Sequence, residues 1–193
     1  AVTAVSARSC ANPPVVLPGN AGAPALVHFD AVAPATVAGL AATQIKTGND
    51  ADGTTKIDLA WTAPEGDAAQ VEIWRKGFGA YPEYDDAGGA APVAVDGTWA
   101  LVATQPAGTS AYVDEPPTRD FWYYAAVVID ECGNRSQPSA ITGGTLNYHL
   151  GDVTPMPAGN NLVGTNDVSR LGTYYGLAVT PEINDLDVGP TTN

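Results

Sequence analysis

The stretch Phe121–Ser139, FWYYAAVVIDECGNRSQPS, decides the fold. Aromatic and β-branched residues dominate its first half, which reads as a strand over Phe121–Ile129. Cys-Gly-Asn-Arg-Ser-Gln-Pro then supplies turn chemistry: Gly accepts a positive φ, and Asn bonds to backbone near itself. A further strand, Ser139–Leu146, is expected beyond it.

Toward the N-terminus the same rhythm recurs. Strands are expected at Val37–Ile45, Thr55–Trp61, Ala69–Arg75, Thr98–Thr104 and Ser110–Val113. The breakers TGNDADG, APEGD, YPEYDDAGGAAP, PAGT and EPPTRD part them. In TKIDLAW, Ile57, Leu59 and Trp61 alternate with Lys56, Asp58 and Ala60. In QVEIWRK, Val71 and Ile73 oppose Glu72 and Trp74, so each strand buries one face. Seven short strands in about 110 residues is the pattern of an antiparallel β-sandwich.

Composition agrees. The 193 residues are 45% hydrophobic, enough for a core, and 21 Gly with 16 Pro suit many turns. Asp and Glu number 21 against 8 Lys and Arg, a net charge of −13. That balance argues against nucleic acid, which needs a basic face, and against an anionic membrane surface. It leaves carboxylates free for divalent cations. No apolar run reaches membrane-spanning length, so no membrane insertion is expected. The chain opens on Ala1 and its one Met is Met156, which suits a removed signal peptide or a piece of a longer chain. Cys10 and Cys132 suit one disulfide in an oxidising compartment, two free thiols being the alternative. Localisation is therefore expected to be extracellular, secreted or at the cell surface.

Before the sandwich, residues 1–33 are apolar yet broken by Pro-Pro, Pro-Gly and Gly-Ala-Pro. Such an arm cannot fold alone and must pack on the protein's body or on a neighbouring molecule. After it, in GDVTPMPAGNNLVGTNDVSRLGTYYG (151–176), Val168, Leu171 and Tyr174 or Tyr175 recur at helical spacing, with Gly176 as the stop. Asn166 or Asp167 would cap that helix. Asp152 opens the preceding loop and Asp167 closes it at the helix start. Asn160 and Asn161 add amide oxygens and Leu162 or Val163 a carbonyl. Calcium takes six to eight such oxygens. The expected calcium ligands are Asp152, Asn160, Leu162 and Asp167.

Two resemblances follow from these residues. PATVAGLAAT, KIDLAWTAP, VEIWRK and FWYYAAVVIDECGNRSQPS resemble a bacterial fibronectin type III domain over residues 34–148, with Trp61 on its second strand. The family's corner tyrosine falls on Trp122, which has no hydroxyl, so either Tyr123 or Tyr124 substitutes or the corner differs. The loop and helix of residues 149–193 resemble a dockerin, a duplicated calcium-binding loop–helix module. GDVTP at Gly151 echoes as LDVGP at Leu186, so Asp187 would start a second metal repeat. Asp152 and Asp167 stand 15 positions apart, about four more than a twelve-residue calcium loop.

Other candidates carry bland alternatives. Glu83, Asp85 and Asp86 read as a solvated loop before a metal site. Trp74 and Trp99 read as packing before a sugar platform. Asn134-Arg135-Ser136 is a glycosylation sequon in a turn. His28 and His149 have no paired nucleophile, and no hydrolase, metalloprotease or phosphate-loop motif occurs, so no enzymatic activity is expected. The reading is a non-enzymatic secreted protein, a calcium-stabilised building block of an extracellular filament or surface layer. It would associate with itself or a protein docking partner through its arm and C-terminal module. The competing readings are a spacer and docking module of a larger secreted enzyme, and a carbohydrate-binding module.

Overall fold

Alternation is realised most cleanly in β2, Ile57–Thr62, where Ile57, Leu59 and Trp61 are buried and their neighbours exposed. The structure, a computed structural model, describes residues 30–79, 81 and 91–187. Around β2 stand β1 (Ala38–Gln44), β3 (Ala68–Gly77), β4 (Ala100–Pro106), β5 (Ala111–Asp114), β6 (Phe121–Asp130) and β7 (Thr145–Leu146). Two antiparallel sheets result, with strand orders β1-β2-β5 and β4-β3-β6-β7. Among the described residues there follow one helix, α1 (Thr165–Tyr174), and a single 3₁₀ turn, Asn184–Leu186.

Between the sheets Val37, Ile57, Leu59, Trp61, Val71, Ile73, Tyr124, Ala126 and Val128 form the core. Each large apolar side chain buried there contributes about 1.5–3 kcal/mol. The other face of β6 is covered too: Tyr123 and Ala125 pack with Trp99, Trp74, Phe78 and Phe121. β6 therefore runs through the middle of three layers, which explains its unbroken apolar sequence.

Tyr124 of β6 is fully buried. Its phenol donates to Asp114 Oδ2 at 2.7 Å, and Arg75 Nη1 donates to the same carboxylate at 2.8 and 3.0 Å. Burial, and then the negative Asp114 beside it, pushes the phenol pKa far above its ordinary value. Trp122 lies flat under the Arg75 guanidinium, 4.7 Å from it.

The expected strand Ser139–Leu146 is corrected to the two residues of β7. Residues 136–142 instead run beside β6 with a period of three. The backbone N–H groups of Ser136, Ser139 and Thr142 donate to the carbonyls of Val128, Ala126 and Tyr124. In return Ser136 Oγ, Ser139 Oγ and Thr142 Oγ1 accept the N–H groups of those residues at 2.9–3.0 Å. Hydroxyls thus replace the carbonyls of a regular ladder. Pro138, which has no N–H, sits where none is needed.

Of the N-terminal arm, residues 1–29 lie outside the described residues, and with them Cys10 and His28. Glu83, Asp85 and Asp86 do also. Cys132 is not a free thiol, and its expected partner Cys10 cannot be placed beside it here. The hydroxyl ladder carries the first expectation. Ser139→Ala leaves the buried Ala126 N–H unmatched and should cost about 1–3 kcal/mol in urea unfolding. Gln137→Ala, on the exposed side, should stay within about 0.5 kcal/mol. Equal effects for the two would refute the ladder.

Candidate functional site

Where the sandwich ends, the chain passes from β7 through Asn147, Tyr148 and Asp152, each buried, into the C-terminal loop with no linker between. Arg119, on the loop between β5 and β6, holds this junction. Its Nη2 donates to Asp152 Oδ2 at 2.6 Å and its Nη1 to the Asp152 carbonyl at 2.7 Å. Its Nε donates to the Gly53 carbonyl at 2.8 Å, and its guanidinium lies over the Tyr148 ring at 5.3 Å. One side chain therefore ties the β1–β2 loop, the β5–β6 loop and the C-terminal loop together.

The loop closes onto Asp152 and Asp167 by hydrogen bonds. Asp152, 0% exposed, accepts the N–H groups of Asn160 and Asn161, the latter at 2.8 Å. Gly159, at φ 77, lies so near that a Cβ would stand 2.2 Å from Arg119 Nη2 and 2.4 Å from Asp152 Oδ2. Asp167 Oδ1 accepts from Val153 N, Thr154 N and Thr154 Oγ1 at 2.7–2.9 Å. Its Oδ2 accepts from Gly164 N at 2.7 Å. Burial raises the Asp167 pKa, but bonds from Gly164, Thr154 and Val153 outweigh it and hold the carboxyl below its ordinary value.

Of the expected calcium ligands, Asp152 and Asp167 belong to one loop, and their oxygens accept from backbone N–H groups, a hydroxyl and a guanidinium. Asn160 Oδ1 accepts from Leu162 N at 3.1 Å in a local turn, and the Leu162 side chain is 68% exposed. The helix cap is Gly164, with Asp167 at the third helical position reaching back to it. Asp187 ends the described residues after the 3₁₀ turn, its N–H on the Asn184 carbonyl. Arg170 of α1 pairs with Asp185 of that turn at 2.9–3.0 Å.

The apolar face expected for α1 is divided: Leu171 and Tyr174 are half-buried, while Val168 is exposed. Within the helix only Asp167 is buried. Val168 is 63% exposed and Tyr175, just past the helix, 90%. Leu162, Val163, Leu177 and Val179, before and after the helix, are exposed as well.

The remaining candidates resolve by their contacts. Trp99 is buried and Trp74 packs beside it, its indole N–H donating to Glu72 Oε2 at 3.0 Å, so neither offers a free sugar platform. Both hydrogens of Asn134 Nδ2 are engaged, by the Asp30 carbonyl at 3.0 Å and Asp130 Oδ2 at 2.8 Å. Ser136 is buried against β6, so the sequon is turn chemistry. His149 gives its carbonyl to Asp152 N. Two carboxylate clusters escaped the sequence reading. Asp30, Asp67 and Asp130 meet beside that turn, and Asp50, Asp52 and Glu115 meet beside Asn161. The signal for the second was DADG, carboxylates two apart before a Gly, which reads equally well as a turn.

No protein-family model matches the chain, and no curated protein does. Among solved structures it is similar to a β-1,2-glucanase from Parabacteroides distasonis, at 21% identity and TM-score 0.37 over 64% of this chain. It is similar also to a family 76 glycoside hydrolase from a bovine Bacteroides thetaiotaomicron strain, at 13%, 0.40 and 62%. A third is pectate lyase PelI from Erwinia chrysanthemi, in complex with tetragalacturonic acid, at 16%, 0.32 and 52%. The chain spans 15%, 21% and 27% of the lengths of these three.

Two expectations follow from the junction. Gly159→Ala should cost more than about 2 kcal/mol, from the left-handed backbone and the clash at Arg119. Gly172→Ala, with nothing near its Cβ, should be neutral or gain up to about 1 kcal/mol from helix propensity. Urea unfolding of both variants checks this. Because the folded pKa of Asp167 lies below its unfolded value of about 3.9, its contribution is present above that value and is lost as pH falls through the folded pKa. Hydrogen-exchange protection of the first helical turn should drop in that acid window, and Asp167→Asn should remove the step.

Proposed function

We propose that this chain is a non-catalytic association module of a secreted protein. In this reading a fibronectin type III-like sandwich holds a dockerin-like loop and helix rigidly for a protein partner. Strand order β1-β2-β5 facing β4-β3-β6-β7 supports the fibronectin type III likeness, and the loop–helix order closed by Asp167 supports the dockerin likeness. The observation that carries the function is the exposed apolar surface of α1 and its flanks. A ten-residue helix is marginal alone, and this one is held by its cap, by Arg170–Asp185 and by half-burial of Leu171 and Tyr174, with Val168 left exposed. Surface of that kind is a contact surface or a liability.

A second copy of this chain is the partner we put first, giving a building block of an extracellular assembly. A docking partner on a larger secreted enzyme is the alternative, favoured by the loop–helix order. Cys10–Cys132 closure would hold the arm to the sandwich. Sedimentation velocity of the full chain over a wide concentration range tests the reading. Self-association that Val168→Asp with Tyr175→Asp abolishes, the monomer staying folded, is the expected result. A chain that is monomeric at high concentration and unchanged by the pair of substitutions ends the self-assembly reading. Intact mass after alkylation without reductant should show no added alkyl group; two additions would refute the disulfide.

A further inference from the structure

Asp30 ahead of β1, Asp67 ahead of β3 and Asp130 at the end of β6 bring carboxylate oxygens within 4.8 Å of one another. Asp130 is buried and the other two are half-buried. Burial raises the Asp130 pKa, but bonds from Asn134, Cys132 and Gly133 outweigh it, so that carboxyl stays charged at neutral pH. Three carboxylates this close repel one another. The ion pairs of Lys56, Arg75, Lys76, Arg119, Arg135 and Arg170 go elsewhere. Asp67 is nonetheless not without a partner.

Cys132 supplies an independent observation. Its N–H donates to Asp130 Oδ1 at 2.8 Å, which sets it at the edge of the cluster. It is not a free thiol, and the chain's one other cysteine is Cys10. Residues 1–29 contain one arginine, no lysine and no carboxylate, and that arginine is Arg8, two positions from Cys10. Cysteines joined in a disulfide hold their Cα atoms about 4.4–6.8 Å apart, and two residues of chain span at most about 7 Å. A bond from Cys132 to Cys10 therefore brings a guanidinium within reach of three carboxylates. The far end of the same stretch arrives at the same turn, where Asn134 Nδ2 donates to the Asp30 carbonyl at 3.0 Å.

We propose that Asp30, Asp67 and Asp130 hold the Arg8 side chain of their own chain, so that residues 8–10 are latched beside the turn after β6 by an ion pair as well as by Cys10. Guanidinium suits the place, because its planar fork offers five N–H donors to several carboxylate oxygens at once, where an ammonium offers a point charge. The chain's own arm is favoured over that of a second copy. Asp30 already stands at Asn134, so Cys10 searches only the volume that the 20 positions between Cys10 and Asp30 allow. Its effective concentration at Cys132 then far exceeds that of another molecule. The latch rests on the Cys10–Cys132 closure proposed above and is independent of what α1 binds. It closes residues 11–29 into a loop with both ends on one turn and withholds the arm from exchange between copies.

The full chain is equilibrated with reduced and oxidised glutathione, and its disulfide fraction is read by intact mass after alkylation. The expected result is one disulfide within a single chain mass, with a closing equilibrium that Arg8→Gln lowers about three- to tenfold. Arg8→Lys should keep part of the difference. With Asp30→Asn and Asp67→Asn together, Arg8→Gln should have no further effect. Asp50→Asn, at an exposed carboxylate outside the cluster, should leave the equilibrium unchanged. Two alkyl additions without reductant would remove the disulfide and the latch with it. A disulfide whose equilibrium ignores Arg8→Gln would remove the latch alone, and so would an Asp50→Asn effect as large as that of Arg8→Gln. A disulfide-linked product of twice the chain mass would give Cys132 to a second copy and overturn the assignment to the chain's own arm.

Discussion

The buried ion pair between Arg119 and Asp152 is the contact on which the rest of the molecule's arrangement depends. Removing both charges from water costs several kcal/mol per ion, and Coulomb attraction repays that only when the remaining donors and acceptors are matched. Here they are. The guanidinium also reaches the Gly53 and Asp152 carbonyls, and the carboxylate also takes two backbone N–H groups of its own loop. Such a pair adds little net stability over apolar packing, but it tolerates no shift in register. Gly53 and Gly159 show how tight the register is: a Cβ at Gly53 would stand 2.0 Å from the Ala158 carbonyl oxygen. The C-terminal loop can sit on the sandwich in one way only.

That rigidity explains how α1 stands with Leu171 and Tyr174 only half-buried and Val168 exposed. The loop in front of it is pinned at Asp152, and Asp167 gathers N–H groups from both ends of the loop, from Val153 and Thr154 before it and Gly164 at the helix start. Two carboxylates at the start and end of a loop can be organised around a cation or around N–H donors, and sequence does not distinguish these. Here Arg119 brings positive charge to Asp152, and backbone N–H groups with one hydroxyl surround the Asp167 oxygens.

The sandwich was legible because its information is local. Alternation in Ile57–Trp61 and Val71–Ile73 fixed the inner faces, and Gly-, Pro- and Asp-rich breakers fixed the turns. The unbroken run in β6 marked a strand covered on both sides. The run Ser136, Ser139, Thr142 was visible as a period of three, but its use as a ladder depends on β6 lying alongside. The site was less legible for the same reason. Nothing near Arg119 in sequence announces a partner 33 positions on, and DADG looks like a turn until Glu115 and Asn161 arrive from elsewhere. That Tyr124 would reach Asp114 could not be read from sequence, because the bond depends on the packing of two sheets.

Charge ties these observations together. The arginines at positions 75, 119, 135 and 170 are each paired with a carboxylate, Asp114, Asp152, Glu72 and Asp185 in turn. Half of the chain's eight cationic side chains are therefore spent internally, and the surface left for other molecules is more uniformly negative than the composition suggests. Two such surfaces repel out to about 8–10 Å in physiological salt. Within that distance the apolar face of α1 cannot attract a second acidic chain, because burial acts only at contact. A contact through that face must therefore overcome the repulsion of two acidic surfaces at short range.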